Sequence, residues 1–134
     1  MRILGARIHV FFDVLFAVVF VLGPLLVGLG GSPLIISFLM AVAFVVLALT
    51  TARRARRGAD SVPIAHGLVE LVLGILLAFM PRLDGYSPGS PARHFYWAMA
   101  AALGVVWILT AYGGAAEARR ETAPGYTRPR ATGV

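Results

Sequence analysis

The chain contains no cysteine, lysine, asparagine or glutamine. Without cysteine there is no disulfide, thiolate metal ligand or thiol nucleophile, so other side chains must supply the chemistry of any site. All twelve basic residues are arginine, a usage typical of GC-rich bacterial genomes. The sequence has no P-loop, dinucleotide-binding or H-E-x-x-H motif. Ser87 stands in a G-x-S-x-G string over 85–89, but it reads as a turn residue, so we do not expect an enzyme.

Charge is also scarce in this chain. Charged residues make up 13% of the 134 residues and apolar residues 59%. A water-soluble domain of this size cannot bury so much apolar surface, so lipid must cover it. The composition therefore predicts an integral membrane protein, whose main partner is the lipid bilayer.

Four apolar segments are each close to the length that crosses a bilayer as a helix. They span residues 8–29, 33–52, 62–80 and 94–113. Pro33 suits the first turn of the second helix, and Asp60 or Ser61 with Pro63 suits the start of the third. We predict an all-α, four-transmembrane-helix bundle built from two tandem helical hairpins. It forms a domain over residues 1–115, followed by a basic, disordered cytoplasmic tail over 116–134.

The arginines predict the orientation of the chain. Ten of the twelve lie before the first helix, between the second and third, or after the fourth. The cytoplasmic side carries such an excess, so both termini should face the cytoplasm, from the bacterial plasma (inner) membrane. Four arginines between the second and third helices should contact anionic inner-leaflet lipids rather than nucleic acid. They are Arg53, Arg54, Arg56 and Arg57.

A cleaved signal peptide is the alternative interpretation of the first helix, because Arg2 and Arg7 resemble a charged n-region. The apolar run is too long for a signal peptide and includes Asp13. We therefore expect an uncleaved first helix.

An internal repeat relates the first and third helices at an offset of 57 residues. The matched pairs are His9 with His66, Asp13 with Glu70, Pro24 with Pro81, Leu26 with Leu83 and Gly28 with Gly85. We predict repeats over about 8–52 and 62–113, packed about a pseudo-twofold axis along the membrane normal.

These features resemble the SPW-repeat family of small bacterial membrane proteins and, more loosely, the HdeD-like membrane proteins. The shared features are the two hairpins, an early acidic residue and a proline at the outer end of the first helix of each hairpin. The Ser-Pro-Trp triplet itself is absent, since the copies read Gly23-Pro24-Leu25 and Met80-Pro81-Arg82. The resemblance implies a membrane protein without an established reaction or cofactor.

His9 with Asp13, and His66 with Glu70, are spaced so that each pair lies on one helical face. If the two helices meet, two imidazoles and two carboxylates converge. Such a set suits a divalent metal such as Zn²⁺ or a cluster that shares protons. Structural hydrogen bonding within or between the helices is the simpler interpretation, and the spacing does not decide among these three.

The sequence favours a structural membrane component that acts through helix-mediated oligomerisation, and the resemblance to HdeD-like proteins, which are associated with acid stress, implies a stress-associated one. Small residues spaced along the third and fourth helices favour close helix packing, and a homo-oligomer is one use of such faces. The alternative function is a proton-coupled or divalent-metal transporter or channel that uses the histidines and carboxylates. No cofactor is expected apart from that metal.

Overall fold

The structure is a computed structural model, which describes residues 4–83 and 85–113. It contains helices α1 (Ala6–Leu26), α2 (Gly31–Arg56), α3 (Ile64–Leu83) and α4 (Pro91–Leu109). All four are long and apolar enough to cross a membrane, which confirms the all-α prediction and indicates a membrane protein. The predicted tail, 116–134, lies outside the described residues.

A tight turn joins α1 to α2. Gly28 and Gly31 have φ angles of +69° and +60°, a conformation that glycine adopts without steric cost. Pro33 lies in the first turn of α2, where its missing amide hydrogen leaves no hydrogen bond unmade. The chain therefore reverses within a few residues, and α1 packs along α2.

The fourth helix begins earlier and ends earlier than predicted. Ser90 accepts a hydrogen bond from the Arg93 amide at 3.3 Å, and Pro91 follows as the first helical residue. At the other end, Thr110 is extended, with ψ of 140°. The chain leaves the helix there because its backbone pairs with other segments instead.

Those segments form a small parallel pairing at one end of the bundle. Strand β1 (Val62–Pro63) pairs with strand β2 (Tyr112–Gly113), and Leu4 bridges to Thr110. Pro63 therefore precedes α3 instead of lying in its first turn. The connections into α1, into α3 and out of α4 are thus tied together.

The same end carries most of the described arginines. Arg7 lies in the first turn of α1, and Arg53, Arg54 and Arg56 lie in the last turn of α2, followed by Arg57. We call it the arginine-rich end. The N-terminal ends of α1 and α3 and the C-terminal ends of α2 and α4 meet here.

An apolar core fills the bundle beyond this end. The Phe44 ring lies 5.1 Å from Phe16 and 5.7 Å from Phe20, with Leu77 and Leu103 in the same cluster. The outward faces are apolar as well and include large aliphatic and aromatic side chains on every helix. A bundle that is apolar inside and outside suits lipid as its surrounding solvent.

Candidate metal centre

Four polar side chains converge inside the arginine-rich end. His9 and Asp13 lie one turn apart near the start of α1, and His66 and Glu70 lie one turn apart near the start of α3. All four are buried, and His66, the most accessible of them, is 5% exposed. One potential ligand atom from each lies within 4.8 Å of the others. We call these residues the His–carboxylate cluster.

The two shortest contacts in the cluster join different helices. Nε2 of His9 lies 3.1 Å from Nε2 of His66 and 3.2 Å from Oε1 of Glu70. Within the helices, His9 Nε2 lies 3.4 Å from Asp13 Oδ1, and His66 Nε2 lies 3.7 Å from Glu70 Oε1. Asp13 Oδ2 lies 3.6 Å from His66 Nε2. The pairs that the sequence predicts within helices thus form one interhelical cluster.

Thr110 determines which nitrogen of neutral His9 carries the proton and which has a free lone pair. The Thr110 hydroxyl donates its single proton to the Val106 carbonyl at 2.7 Å. Its oxygen also lies 2.9 Å from His9 Nδ1 and must therefore accept from an Nδ1–H group. Neutral His9 then carries an unprotonated Nε2, which is the form that binds a metal ion.

His66 is held by a threonine of the remaining helix, but this bond does not fix its tautomer. Its Nδ1 atom lies 3.0 Å from the hydroxyl oxygen of Thr51, near the end of α2. Either atom can donate in this bond, and Nε2 faces the cluster in both cases. Each of the four helices therefore contributes to the site or to its immediate support, with Thr110 at the C-terminal cap of α4.

The carboxylates are buried without the hydrogen bonds they require. Both oxygens of Asp13, and Oε1 of Glu70, have no hydrogen-bond partner within residues 4–83 and 85–113. An ionised carboxylate buried in this way is strongly unfavourable unless a cation neutralises it. Protonated imidazole and a bound metal ion are the two cations that the geometry allows.

The spacing of the donor atoms fits a metal ion. Tetrahedral Zn²⁺ with bonds of about 2.0–2.2 Å requires ligand atoms about 3.4 Å apart. The contacts of the histidine nitrogens with each other and with the carboxylate oxygens run from 3.1 to 3.7 Å, with Asp13 reaching the two histidines through different oxygens. One ligand atom from each residue lies within 4.8 Å of the others, so small side-chain shifts would complete a tetrahedral set. Two imidazole nitrogens and two carboxylate oxygens are also a ligand set that divalent transition metals bind.

Tyr112 covers the cluster from β2. Its hydroxyl donates to Oε2 of Glu70 at 2.7 Å, and its ring lies 6.3 Å from the His9 ring and 5.9 Å from the Trp107 ring. Burial raises the pKa of the Tyr112 hydroxyl, and the hydrogen bond to Glu70 raises it further. The phenol therefore remains a donor at neutral pH.

Gly67 provides the space for that ring. A Cβ atom added at Gly67 would lie 2.5 Å from Cε1 of Tyr112. The Gly67 carbonyl also accepts a hydrogen bond from Trp107 Nε1 at 2.7 Å. Trp107 therefore packs and donates beside the cluster.

Sequence reasoning identified all four cluster residues but not their supporting residues. Thr51, Thr110 and Tyr112 come from other helices or from beyond a helix end, and no spacing relates them to the histidines. Their polarity at the ends of apolar segments was the available signal. It did not distinguish a supporting role from an interfacial one.

No family model, curated protein or solved structure matches this chain in comparisons with known proteins. The resemblance to the SPW-repeat family remains a prediction. The function must therefore be argued from the site itself.

The arginines lie around the cluster without entering it. Arg53, Arg56 and Arg57 are exposed, and Arg54 is half-buried with an unpaired Nε atom. Arg7 and Arg56 line a surface cleft of about 380 Å³ between α1 and α2. The opposite end of the bundle carries two of the described arginines, Arg82 and Arg93.

Proposed function

We propose that this protein is a four-helix integral membrane component whose His–carboxylate cluster binds one divalent transition-metal ion, preferentially Zn²⁺. The observation that carries the proposal is the convergence of four buried ligand atoms within 4.8 Å. Among the described residues, three carboxylate oxygens in that space have no hydrogen-bond partner, and each lies 3.2–3.7 Å from a histidine nitrogen. A divalent cation would neutralise them and use both histidine lone pairs.

The bound ion would have a structural role. Structural zinc sites draw all four ligands from the protein, whereas catalytic sites leave a position open. Here His9 and Asp13 come from the first hairpin, and His66 and Glu70 come from the second. The ion would therefore join the hairpins, consistent with a structural membrane component rather than an enzyme.

Transport is less well supported by the same structure. A permeation pathway needs polar groups across the whole membrane. Beyond the cluster, the centre of the bundle is filled by Phe16, Phe20, Phe44 and Leu77, all nearly or fully buried. The packed aromatic core favours an ion that stays bound over one that passes through.

The proposed setting is a bacterial inner membrane with both termini in the cytoplasm. The support is the charge asymmetry of the bundle, whose arginine-rich end would contact anionic lipids through Arg53, Arg56 and Arg57. Self-association would use exposed small residues of α4, such as Ala98 and Ala102. A role as an SPW-repeat or stress-associated protein belongs to the same proposal.

Metal analysis of purified protein tests the proposal. Wild-type protein in detergent is loaded with Zn²⁺ and passed through a desalting column. The amount of zinc that stays bound per chain is then measured by mass spectrometry of the metal. We expect one ion per chain. Glu70→Gln and His66→Gln remove a ligand and should lower the affinity by roughly tenfold or more.

The third histidine provides a matched control. His94 is exposed at the opposite end of the bundle, so His94→Gln should retain the full metal content. Equal metal content in Glu70→Gln and wild type would contradict the proposal, as would wild-type protein that retains no metal.

A further inference from the structure

The hydrogen bond from Tyr112 divides the two oxygens of Glu70 between two tasks. Oε2 accepts from the Tyr112 hydroxyl at 2.7 Å. Oε1 lies 3.2 Å from His9 Nε2 and 3.7 Å from His66 Nε2, and no described residue forms a hydrogen bond with it. One oxygen therefore faces the cluster, and the other is held by the tyrosine.

This division matters because a carboxylate can bind a metal through one oxygen or two. A carboxylate that uses both oxygens raises the coordination number and favours ions that accept six oxygen-rich ligands, such as Mn²⁺. A carboxylate limited to one oxygen favours the tetrahedral geometry of Zn²⁺. The partner of the second oxygen can therefore control which ion fits.

We propose that Tyr112 determines the metal specificity of the His–carboxylate cluster by limiting Glu70 to one ligand oxygen. This inference rests on the proposed metal binding. Neither oxygen of Asp13 has a hydrogen-bond partner in the part of the chain that the structure describes, so the cluster already offers one carboxylate that can bind through both. Releasing Glu70 as well would produce a set of two nitrogens and four oxygens, which suits a six-coordinate ion.

The tyrosine is well placed to hold this geometry. Its ring fits against Gly67, where even one added methyl group would overlap it, and it packs beside Trp107. The backbone of β2 pairs with β1, which fixes the point from which the side chain reaches Glu70. Tyr112 is thus a positioning residue that acts on the metal through Glu70.

The test uses Tyr112→Phe, which removes the hydroxyl and keeps the ring. Metal-free wild type and variant are titrated with Co²⁺, whose visible absorption is intense in tetrahedral sites and weak in octahedral ones. Zn²⁺ and Mn²⁺ are then used as competitors. We expect the variant to show a weaker Co²⁺ spectrum and a preference for Zn²⁺ over Mn²⁺ reduced by roughly tenfold, the lower range of effects for groups that support metal ligands.

Tyr96→Phe is the matched control. Tyr96 is fully buried, whereas Tyr112 is partly buried, and the Tyr96 hydroxyl donates to the Pro33 carbonyl at 2.6 Å, at the opposite end of the bundle. This variant loses a comparable hydrogen bond and should retain the wild-type spectrum and preference.

Gly67→Ala is the second variant, because it displaces the Tyr112 ring without removing a donor. It should change the spectrum in the same direction as Tyr112→Phe.

The outcomes separate the two proposals. A Tyr112→Phe variant that binds Co²⁺ with the wild-type spectrum and the wild-type ion preference overturns the role of Tyr112 and leaves metal binding intact. Wild-type protein that binds neither Co²⁺ nor Zn²⁺ overturns both. A changed spectrum in Tyr96→Phe equal to that in Tyr112→Phe would assign the effect to general loosening of the bundle and overturn the specific role.

Discussion

At the scale of single residues, Thr110 explains how a neutral His9 can present a lone pair inside an apolar bundle. The bond from Thr110 to Val106 leaves the threonine oxygen as an acceptor only, so the proton of His9 is held on Nδ1. Such partners of metal-bound histidines orient the ring and fix the tautomer. The chemistry of the cluster thus depends on residues that do not touch the proposed ion.

Replacing Thr110 with valine tests this dependence. Thr110→Val leaves the buried Nδ1–H of His9 without an acceptor, at a cost of about 1–3 kcal/mol in stability. We expect Zn²⁺ affinity to fall by roughly tenfold, measured by competition with a chromophoric chelator. Thr110→Ser keeps the hydroxyl and should restore affinity.

Thr50→Val is the control for that variant. The Thr50 hydroxyl donates to the Leu47 carbonyl and lies on the exposed side of α2. The Thr50→Val variant should bind Zn²⁺ with the affinity of the wild type. Unchanged affinity in Thr110→Val would show that the tautomer is held by something other than this bond.

Two substitutions of Asp13 distinguish a carboxylate with a structural role from one that binds the metal. Asp13→Asn preserves shape and some hydrogen bonding, whereas Asp13→Leu leaves the facing His9 and His66 without a polar partner on that side. In metal-free protein, we expect the leucine variant to be less stable than the asparagine variant by about 1–3 kcal/mol. In Zn²⁺-loaded protein, both variants should lose the stabilisation that the wild type gains. Thermal unfolding with and without Zn²⁺ measures both differences, and Zn²⁺ stabilisation of Asp13→Asn equal to that of wild type would exclude Asp13 as a ligand.

At the scale of helices, the sequence predicted four elements within a few residues because apolar length dominates the signal. The largest errors fall at α4, whose predicted end at 113 includes residues that form β2. Tyr112 and Gly113 pair with Val62 and Pro63, partners about 50 positions away in the chain. Periodicity within a segment carries no information about such pairing. The same limitation explains why the sequence identified His9 and Glu70 but not the hydroxyl of Tyr112.

Cutting the chain between the two hairpins tests whether bound Zn²⁺ joins them. A protease site inserted after Gly58, in the connection between α2 and α3, allows the chain to be cut into its two hairpins. With Zn²⁺ bound through His9, Asp13, His66 and Glu70, the halves should copurify. Binding stabilises the joined form by about 2.7 kcal/mol when the free ion is at 100 times Kd.

After a chelator removes Zn²⁺, the two hairpins should separate at a lower detergent concentration, or at a lower temperature, than they do with Zn²⁺ bound. The matched control is the cut Glu70→Gln protein, whose dissociation should not respond to the chelator. Wild-type halves that separate equally with and without Zn²⁺ would show that packing alone holds the hairpins together.

At the scale of the whole molecule, the two ends of the bundle differ in charge, since one end carries five of the seven described arginines and the other carries Arg82 and Arg93. The cluster, the β1–β2 pairing and the arginines Arg7, Arg54 and Arg56 share the arginine-rich end. If it faces the cytoplasm, the metal site lies a short distance from the compartment that supplies the ion, and the aromatic core separates it from the other side. Orientation therefore decides from which compartment the metal is acquired.

Single cysteines can determine this orientation without background labelling, because the chain has no cysteine of its own. Arg57 lies just past α2 at the arginine-rich end, and Ser87 lies in the connection between α3 and α4 at the opposite end; both are exposed. We expect Ser87→Cys to react with a membrane-impermeant maleimide in intact cells, and Arg57→Cys to react only after the membrane is permeabilised. The unmodified protein is the blank. Reaction of Arg57→Cys in intact cells, with Ser87→Cys protected, would reverse the proposed topology and place the entrance to the metal site on the outer side.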